Sequence, residues 1–462
     1  MKRRLKIFTH FQRISQRVSI TGSMDRCRFC FRFGAALLGL VMVVCAHADL
    51  EIPPITESTQ GAQPIAIVPF GWKNPTISPP VSLAKIISGD LERSGFFAPI
   101  SKQELPSLPT TKEQVRFSDW RLLGANLVIG NISYLADGRY DIRFRLFDVF
   151  QGKQLEGVRF RAPRNKLRAI AHNISDIIYK KLTGQLGAFS TQIAYITETG
   201  TSKKQKRYTL YVADSDGENA VRVHGSRWPL LSPAWSRDGR KLAYVSFESS
   251  RPHVYIQDIA SKKRQPIATF SGINGAPAWS PDGSRLALTL SKDGNAEIYI
   301  INIRSRRLTR MTHNGAIDTE PAWAPDGRSL VFTSDRSGTP QIYRIPVQGG
   351  RPERITFEGR YNARATFSPD GARLAFVHGD RGIYRIALLE LDTGAFRVLT
   401  ETDLDESPSF SPNGATILYA TTTRGYGSAL AAVSVERGTR YRLGARGGKV
   451  REPAWSPRIT NP

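Results

Sequence analysis

A seven-residue phrase returns at almost constant intervals through the C-terminal half of the chain. It reads Pro233-Ala-Trp235-Ser-Arg-Asp238-Gly239, and recurs around Trp279, Trp323, Phe367 and Phe410. A last, shortened copy is Pro453-Ala-Trp455-Ser-Pro457. The aromatic residues Trp235, Trp279, Trp323, Phe367, Phe410 and Trp455 stand 44, 44, 44, 43 and 45 residues apart. A period of this size marks supersecondary units that bury their faces only against one another. Each Asp/Asn-Gly is followed by a short apolar strand: Leu242–Ser246, Leu286–Leu290, Leu330–Ser334, Leu374–His378 and Ile417–Thr421. Third strands follow at Val254–Ile259, Ile298–Ile303 and Ile342–Val347, then basic, Thr-rich fourth strands such as Arg307–Thr312 and Arg354–Phe357. Four short strands per repeat describe a β-propeller blade.

The Ser-Pro-Asp-Gly element is a turn with a mechanism. Pro presets φ at the second position, and Gly takes the positive φ that closes the hairpin. That accounts for the oxygen-bearing turn residues Asp238, Asp282, Asp326, Asp370 and Asn413 without a metal. The aromatic before each turn is expected to wedge between blades. The array is offset at its ends. The strand Ile193–Thr197 has no aromatic phrase before it, and Trp455 has no Asp-Gly turn after it. The expected fold is therefore a six-bladed ring over residues 188–462, in which the C-terminal strand completes the first blade and leaves no open edge.

The N-terminus has a different logic. Residues 1–48 carry nine Lys or Arg against the single acid Asp25. An apolar run from Phe33 to Cys45 leads to Ala46-His47-Ala48. This is the pattern of a secretory signal peptide cleaved between Ala48 and Asp49, with Met24 offering a shorter alternative start. The apolar core is too short to span a bilayer, and no later segment does better. Val43 and Val44 before Cys45 do not make a lipobox. All three cysteines, Cys27, Cys30 and Cys45, lie in the leader, so the exported chain would rely on packed cores rather than disulfides. The formal net charge of +25 suggests a nucleic-acid binder. Removing the leader lowers it to +17 over 414 residues, spread without a nucleic-acid motif.

Residues 49–62, with Pro53-Pro54 and mostly polar neighbours, read as a flexible arm. Residues 63–187 read as a small α/β domain. Pro64–Phe70, Asn126–Ser133 and Tyr140–Val149 are strand patterns, and Val81–Arg93 and Lys166–Leu182 are amphipathic helices. The second helix aligns Leu167, Ile170, Ile174, Ile177, Ile178 and Leu182.

The leader, the Pro64-Ile-Ala-Ile-Val-Pro-Phe70 strand and the Trp-Ser-Pro-Asp-Gly repeats together resemble the TolB family, the periplasmic components of the Tol–Pal system of Gram-negative bacteria. More specific are Pro229-Leu-Leu-Ser-Pro-Ala-Trp235, Asn274-Gly-Ala-Pro-Ala-Trp279, Phe332-Thr-Ser-Asp-Arg336 and Asp405-Glu-Ser-Pro408. The resemblance implies a non-enzymatic interaction hub without cofactor. It supports outer-membrane integrity and the membrane's invagination during cell division. By resemblance, the propeller binds the lipoprotein Pal through loops preceding the innermost strands: Ile273, Asn274, Gly275 and Ala276, then Thr319 and Glu320. Ile273 replaces a polar residue found in some members. The mature arm, with Asp49, Leu50, Glu51, Ile52 and Ile55, would bind TolA, although Pro53 and Pro54 cannot donate strand hydrogen bonds. Other outer-membrane or peptidoglycan-associated proteins are further implied partners.

Two other classes compete. A propeller can gate a peptidase, but the sequence has no Gly-x-Ser-x-Gly elbow. The five histidines after the leader, His172, His224, His253, His313 and His378, lack zinc-ligand spacing. A polyanion binder, for lipopolysaccharide or peptidoglycan, would use basic residues such as Arg304, Arg306, Arg307 and Arg310. Export argues against nucleic acid.

Overall fold

The computed structural model describes residues 61–72, 79–423 and 427–458. The expected leader, its cleavage point and the arm as far as residue 60 lie outside the described residues.

The first sheet contains β1 (Gln63–Ile67), β2 (Gly71–Trp72), β3 (Phe97–Pro99), β4 (Asn126–Tyr134), β5 (Tyr140–Asp148) and β6 (Lys153–Ala162), in the order β3-β1-β4-β5-β6 with β2 beside β4. β1 runs parallel to β3 and β4, which requires crossovers. Helix α1 (Leu83–Arg93) lies on the path from β2 to β3. Leu83, Ile87 and Leu91 recur one turn apart on its buried side, and the Ser82 hydroxyl accepts the Lys85 N–H at 3.4 Å as N-cap. Helix α2 is the short Phe117–Arg121, and α3 is Leu167–Thr183. Gly184, at φ 76°, ends α3 in the left-handed conformation that suits glycine. α1 and α3 cover one face of the sheet around Ile65, Val128, Ile142 and Phe144. Ile177 and Leu182, expected in that core, are only partly buried. On the other face Trp120 of α2 packs over Leu127, Ile129 and Phe147.

From residue 192 the chain is all β. Strands Leu230–Trp235, Lys241–Ser246, His253–Asp258 and Arg264–Ala268 form one antiparallel meander, and the same order repeats from Asn274 and from Asp318. Two further meanders, beginning at Tyr361 and Leu404, join through a single parallel pair, Tyr384–Leu404. β7 (Gln192–Thr199), β8 (Arg207–Asp214) and β9 (Val221–Ser226) take their fourth strand from the other end of the chain, Lys449–Trp455. That strand pairs antiparallel with β7 from Lys449–Glu198 to Trp455–Ile193.

The outermost strands are shorter than expected: Leu308–Arg310 and Glu353–Arg354. Threonine explains this. The hydroxyls of Thr312, Thr356 and Thr400 accept the third-strand N–H groups of Ile298, Ile342 and Ile386 at 2.9–3.0 Å, replacing the next ladder bond with a side chain. The Asp/Asn-Gly turns close with φ of 66–76° at Gly239, Gly283, Gly327, Gly371 and Gly414. Asp282 accepts from the Ser280 hydroxyl and from the Ser284 N–H, and these bonds hold its carboxyl down to about 2. Its oxygens are thus engaged within the turn.

Trp235, Trp323, Phe410 and Trp455 are buried, whereas Trp279 and Phe367 are half-buried. The indoles also stitch neighbouring sheets. Trp279 Nε1 donates to Ala234 O and Trp323 Nε1 to Ala278 O, both at 3.1 Å. Trp235 Nε1 donates to Ala454 O at 3.0 Å, linking the first complete meander to the last strand.

Candidate binding site in the axial cavity

The first strand of each meander breaks register at the same place. The shifts fall between Leu231 and Ala234, Gly275 and Ala278, Thr319 and Ala322, Ala363 and Thr366, Glu406 and Ser409, and Arg451 and Ala454. Each bulge holds one non-glycine residue in the left-handed region: Ser232, Ala276, Glu320, Arg364, Ser407 and Glu452, at φ 45–60°. An L-residue there costs roughly 1–2 kcal/mol. A penalty repeated at one position of every first strand marks a backbone held for a purpose. These strands line a cavity of about 1140 Å³.

The bulges bring charges together. The Arg364 guanidinium donates to Glu452 Oε2, which also accepts the Ser232 N–H at 3.3 Å. Burial alone would raise the Glu452 carboxyl, but the Arg364 charge and hydrogen bond take it below its ordinary value. Glu320 Oε2 accepts the Thr333 hydroxyl at 3.0 Å, and burial pushes its carboxyl up. Burial does the same to Glu406.

Among the residues anticipated from sequence, Asn274 is fully buried and clamps its own loop. Its side chain accepts the Phe270 N–H at 3.0 Å and donates to Phe270 O at 2.7 Å. Gly275 is buried, and Ile273, Ala276, Thr319 and Glu320 are half-buried. Ile273 is tied through backbone and Ser291: its N–H donates to Ser291 Oγ at 2.8 Å. Thr319 Oγ1 lies 3.3 Å from Thr289 Oγ1, which also accepts the Glu320 N–H at 3.2 Å. Thus Thr289 connects the 273–276 strand to the 319–320 strand. Asp49, Leu50, Glu51, Ile52 and Ile55 lie outside the described residues. Arg364, Glu406 and Glu452 were not anticipated. Nor, beyond Asn274, was the Asx residue at the first or second position of four first strands, Asn274, Asp318, Asn362 and Asp405, all fully buried.

The chain matches the family model described as the TolB beta propeller domain over residues 179–459, and that of the TolB amino-terminal domain over 52–155. It is 59% identical over 424 residues to the Tol-Pal system protein TolB of Nitrosococcus oceani, covering 92% of this chain and 97% of that protein. The TolB of Thioalkalivibrio sulfidiphilus is 58% identical, over 91% of this chain and 97% of its own length. The crystal structure of TolB from Acinetobacter baumannii superposes with a TM-score of 0.80 at 42% identity, covering 88% of this chain and 99% of that one. The chain belongs to the TolB family. It is accordingly a component of the Tol–Pal system, built from a TolB amino-terminal domain and a TolB propeller. Among the described residues no helix is long and apolar enough to cross a membrane.

The two TolB-family domains meet through a buried polar cluster. Asp90 of α1 is fully buried and accepts from Ser175 Oγ at 2.7 Å and Arg93 Nη2 at 2.6 Å, with His172 Nδ1 at 2.8 Å. His172 Nε2 faces the propeller, 3.9 Å from Asp214 Oδ2 and 3.8 Å from Asp216 Oδ2. Arg168 spans the same two carboxylates at 3.0 and 2.7 Å. Ligating atoms of Asp90, His172 and Asp216 lie within 4.8 Å of one another. With Arg168 and Arg93 directed at the carboxylates, the cluster has the chemistry of an ion-pair network rather than of a cation site. Burial would depress the His172 imidazole, but the Asp90 hydrogen bond and the charges of Asp90, Asp216 and Asp214 raise it above its ordinary value.

Proposed function

We propose that this chain is a non-enzymatic periplasmic hub, exported by the leader over 1–48, that binds the lipoprotein Pal at the propeller and TolA through the arm beginning at Asp49. In this reading residues 63–187 form the small domain. Residues 188–462 form a six-bladed ring closed by the last strand, and the hub serves outer-membrane integrity and invagination during division. One observation carries the Pal assignment. Ala276 and Glu320, reached independently through the family resemblance, are two of the strained bulge residues of the innermost strands. A rigid, strained backbone presents a preorganised surface and reduces the entropy lost on docking. The relatives are named as Tol-Pal system proteins, which agrees with an assembly role rather than catalysis.

The test is a pull-down with residues 49–462, with and without residues 49–62. Pal should be retained by both forms and TolA only by the longer. Failure of the longer form to retain either partner overturns the hub. Hydrolysis of a proline-containing peptide by the purified protein would favour the peptidase instead.

A further inference from the structure

The N-terminal sheet has a second charged surface, far from neutral and unused by the hub described above. Across β4, β5 and β6 the register sets three rows side by side: Ser133, Asp141 and Arg161; Asn131, Arg143 and Arg159; Ile129, Arg145 and Gly157. Side chains alternate faces along a strand, so Asp141, Arg143, Arg145, Arg159 and Arg161 share the face opposite α1 and α3. Asp141 is the carboxylate at their centre. Arg159 Nε lies 2.5 Å from it, Arg143 Nε 3.3 Å and Arg161 Nε 3.7 Å. The carboxylate is 6% exposed, while those three arginines are 45–51% exposed. The Arg159 hydrogen bond, with the arginine charges, holds Asp141 below its ordinary value against its desolvation. One carboxylate cannot neutralise three guanidinium groups. Nearby Asp137 is matched by Arg139 at 2.6 Å, and Glu113 feels Arg145, so an excess of about two positive charges remains.

Two further features give the excess a direction. Arg143 sits directly across from Arg159, and like charges directly opposite destabilise a sheet unless something compensates them. β6 is also the edge strand, ten residues without proline, and no described strand pairs with its outer side. An edge of this kind is a template for strand addition.

We propose that the β6 edge is a docking site for an extended acidic polypeptide segment. The segment adds a strand beside β6 and sets carboxylates at alternate residues over Arg159 and Arg161, with Arg143 behind them. Arg forks suit carboxylates because the donors are planar and paired, and Asp141 already holds them in place. A flat anionic membrane fits less well. The α2 layer, with Trp120 over Leu127 and Phe147, covers the neighbouring part of the same face and forms a shoulder beside the patch. An extended chain can run along the strand past this shoulder, whereas a bilayer plane meets the shoulder first.

The test measures binding of a fluorescent peptide of alternating glutamate and valine to the purified full-length protein by anisotropy. The wild type should bind, more weakly as salt rises. R159E/R161E should lose at least about tenfold in affinity, the equivalent of two charge-assisted pairs. R304E/R307E, which makes the same charge change on the propeller, should leave it unchanged. Should R159E/R161E fail to fold, R159Q/R161Q carries the same expectation. The peptide N-methylated at alternate residues should not bind, because it cannot complete the ladder. Three results would overturn the proposal: equal loss in both charge variants, equal binding of the N-methylated peptide, or binding to phosphatidylglycerol vesicles but not to the peptide.

Discussion

His172→Gln is the sharpest test of how the two domains hold together. The substitution keeps a polar group near Asp90 but removes the ability to carry charge. In the protein the imidazole lies between Asp90 on one side and Asp214 and Asp216 on the other, and it is only 2% exposed. A hydrogen bond involving a charged group contributes about 1.5–3 kcal/mol, and a neutral one about 0.5–1.5. The substitution should therefore destabilise the protein by about 2 kcal/mol at pH 6. The pH dependence follows from linkage. The folded imidazole titrates above its unfolded value, so its contribution is complete below about pH 6.5 and fades as pH rises through the folded pKa. The other groups facing it do not mimic this. Asp216 is held low, with an effect confined to acid, and Tyr441, which feels Arg93 and Asp90, is pushed up to about 12 by burial. Arg168 stays charged throughout, because Asp216 and Asp214 raise it further. His224 and His378 are depressed by burial, so their contributions have the opposite sign and fail in acid. The useful quantity is therefore the difference between wild type and variant, measured by urea unfolding at several pH values from 6 to 9. It should shrink with rising pH. A difference that is constant, or that grows, refutes a protonated His172 between the domains.

Three other outcomes follow from the propeller. Trp279→Phe keeps a ring in the wedge but removes the indole bond to Ala234 O, and should destabilise by about 1 kcal/mol in urea unfolding, while Trp279→Ala should cost about 3 kcal/mol. Gly275→Ala should leave stability within about 0.5 kcal/mol, because a Cβ there meets only Ile273 Cγ2 at 3.8 Å and the backbone is outside the left-handed region; weakened Pal retention in a pull-down would then report contact rather than folding. Arg364→Met removes the hydrogen-bonded cation of Glu452, which is 12% exposed and still feels Arg451, and should cost about 1.5–3 kcal/mol at pH 7. Because Glu452 is held low in the folded state, that loss should diminish as pH falls below about 4.5, which unfolding at pH 4 would show.

Much of the architecture was legible because repetition exposes it. A turn that needs Pro and a positive-φ Gly leaves the same letters every 44 residues, and an aromatic wedge leaves another. The N-terminal helices were legible from their 3.6-residue period. β6 was not. Its outward positions carry Gln154, Arg159 and Arg161, its middle is Gly157, a bulge breaks its register near Leu155, and its inward positions are only partly buried, so no strong alternation of polarity betrays it. The Asp90–His172–Asp216 cluster was hidden for another reason. His172 and Asp90 are 82 residues apart, each looks like one polar residue on an amphipathic helix, and only the crossing of α1 and α3 brings them together.

The axial charges were hidden by the same repetition that revealed the propeller. A repeat search rewards positions that stay constant, and those are the structural ones: the wedge, the turn and the strand cores. Ser232, Ala276, Glu320, Arg364, Ser407 and Glu452 occupy one position of the repeat and share one strained backbone conformation, yet they are chemically unlike. A repeat search alone passes over the position because it looks unpatterned. Structurally it is the reverse. The scaffold holds the backbone in a left-handed bulge each time and varies only the side chain it carries. Glu452 and Arg364 use that freedom to join one another, 88 residues apart in sequence, while Ala276 and Glu320 are themselves among the residues expected to meet Pal. In a symmetric array, partner recognition has to break the symmetry. The informative residues are therefore the ones that differ at a fixed place in the repeat, and a systematic exchange of those six side chains, with stability and Pal retention measured for each, would separate the axial lock from the docking surface.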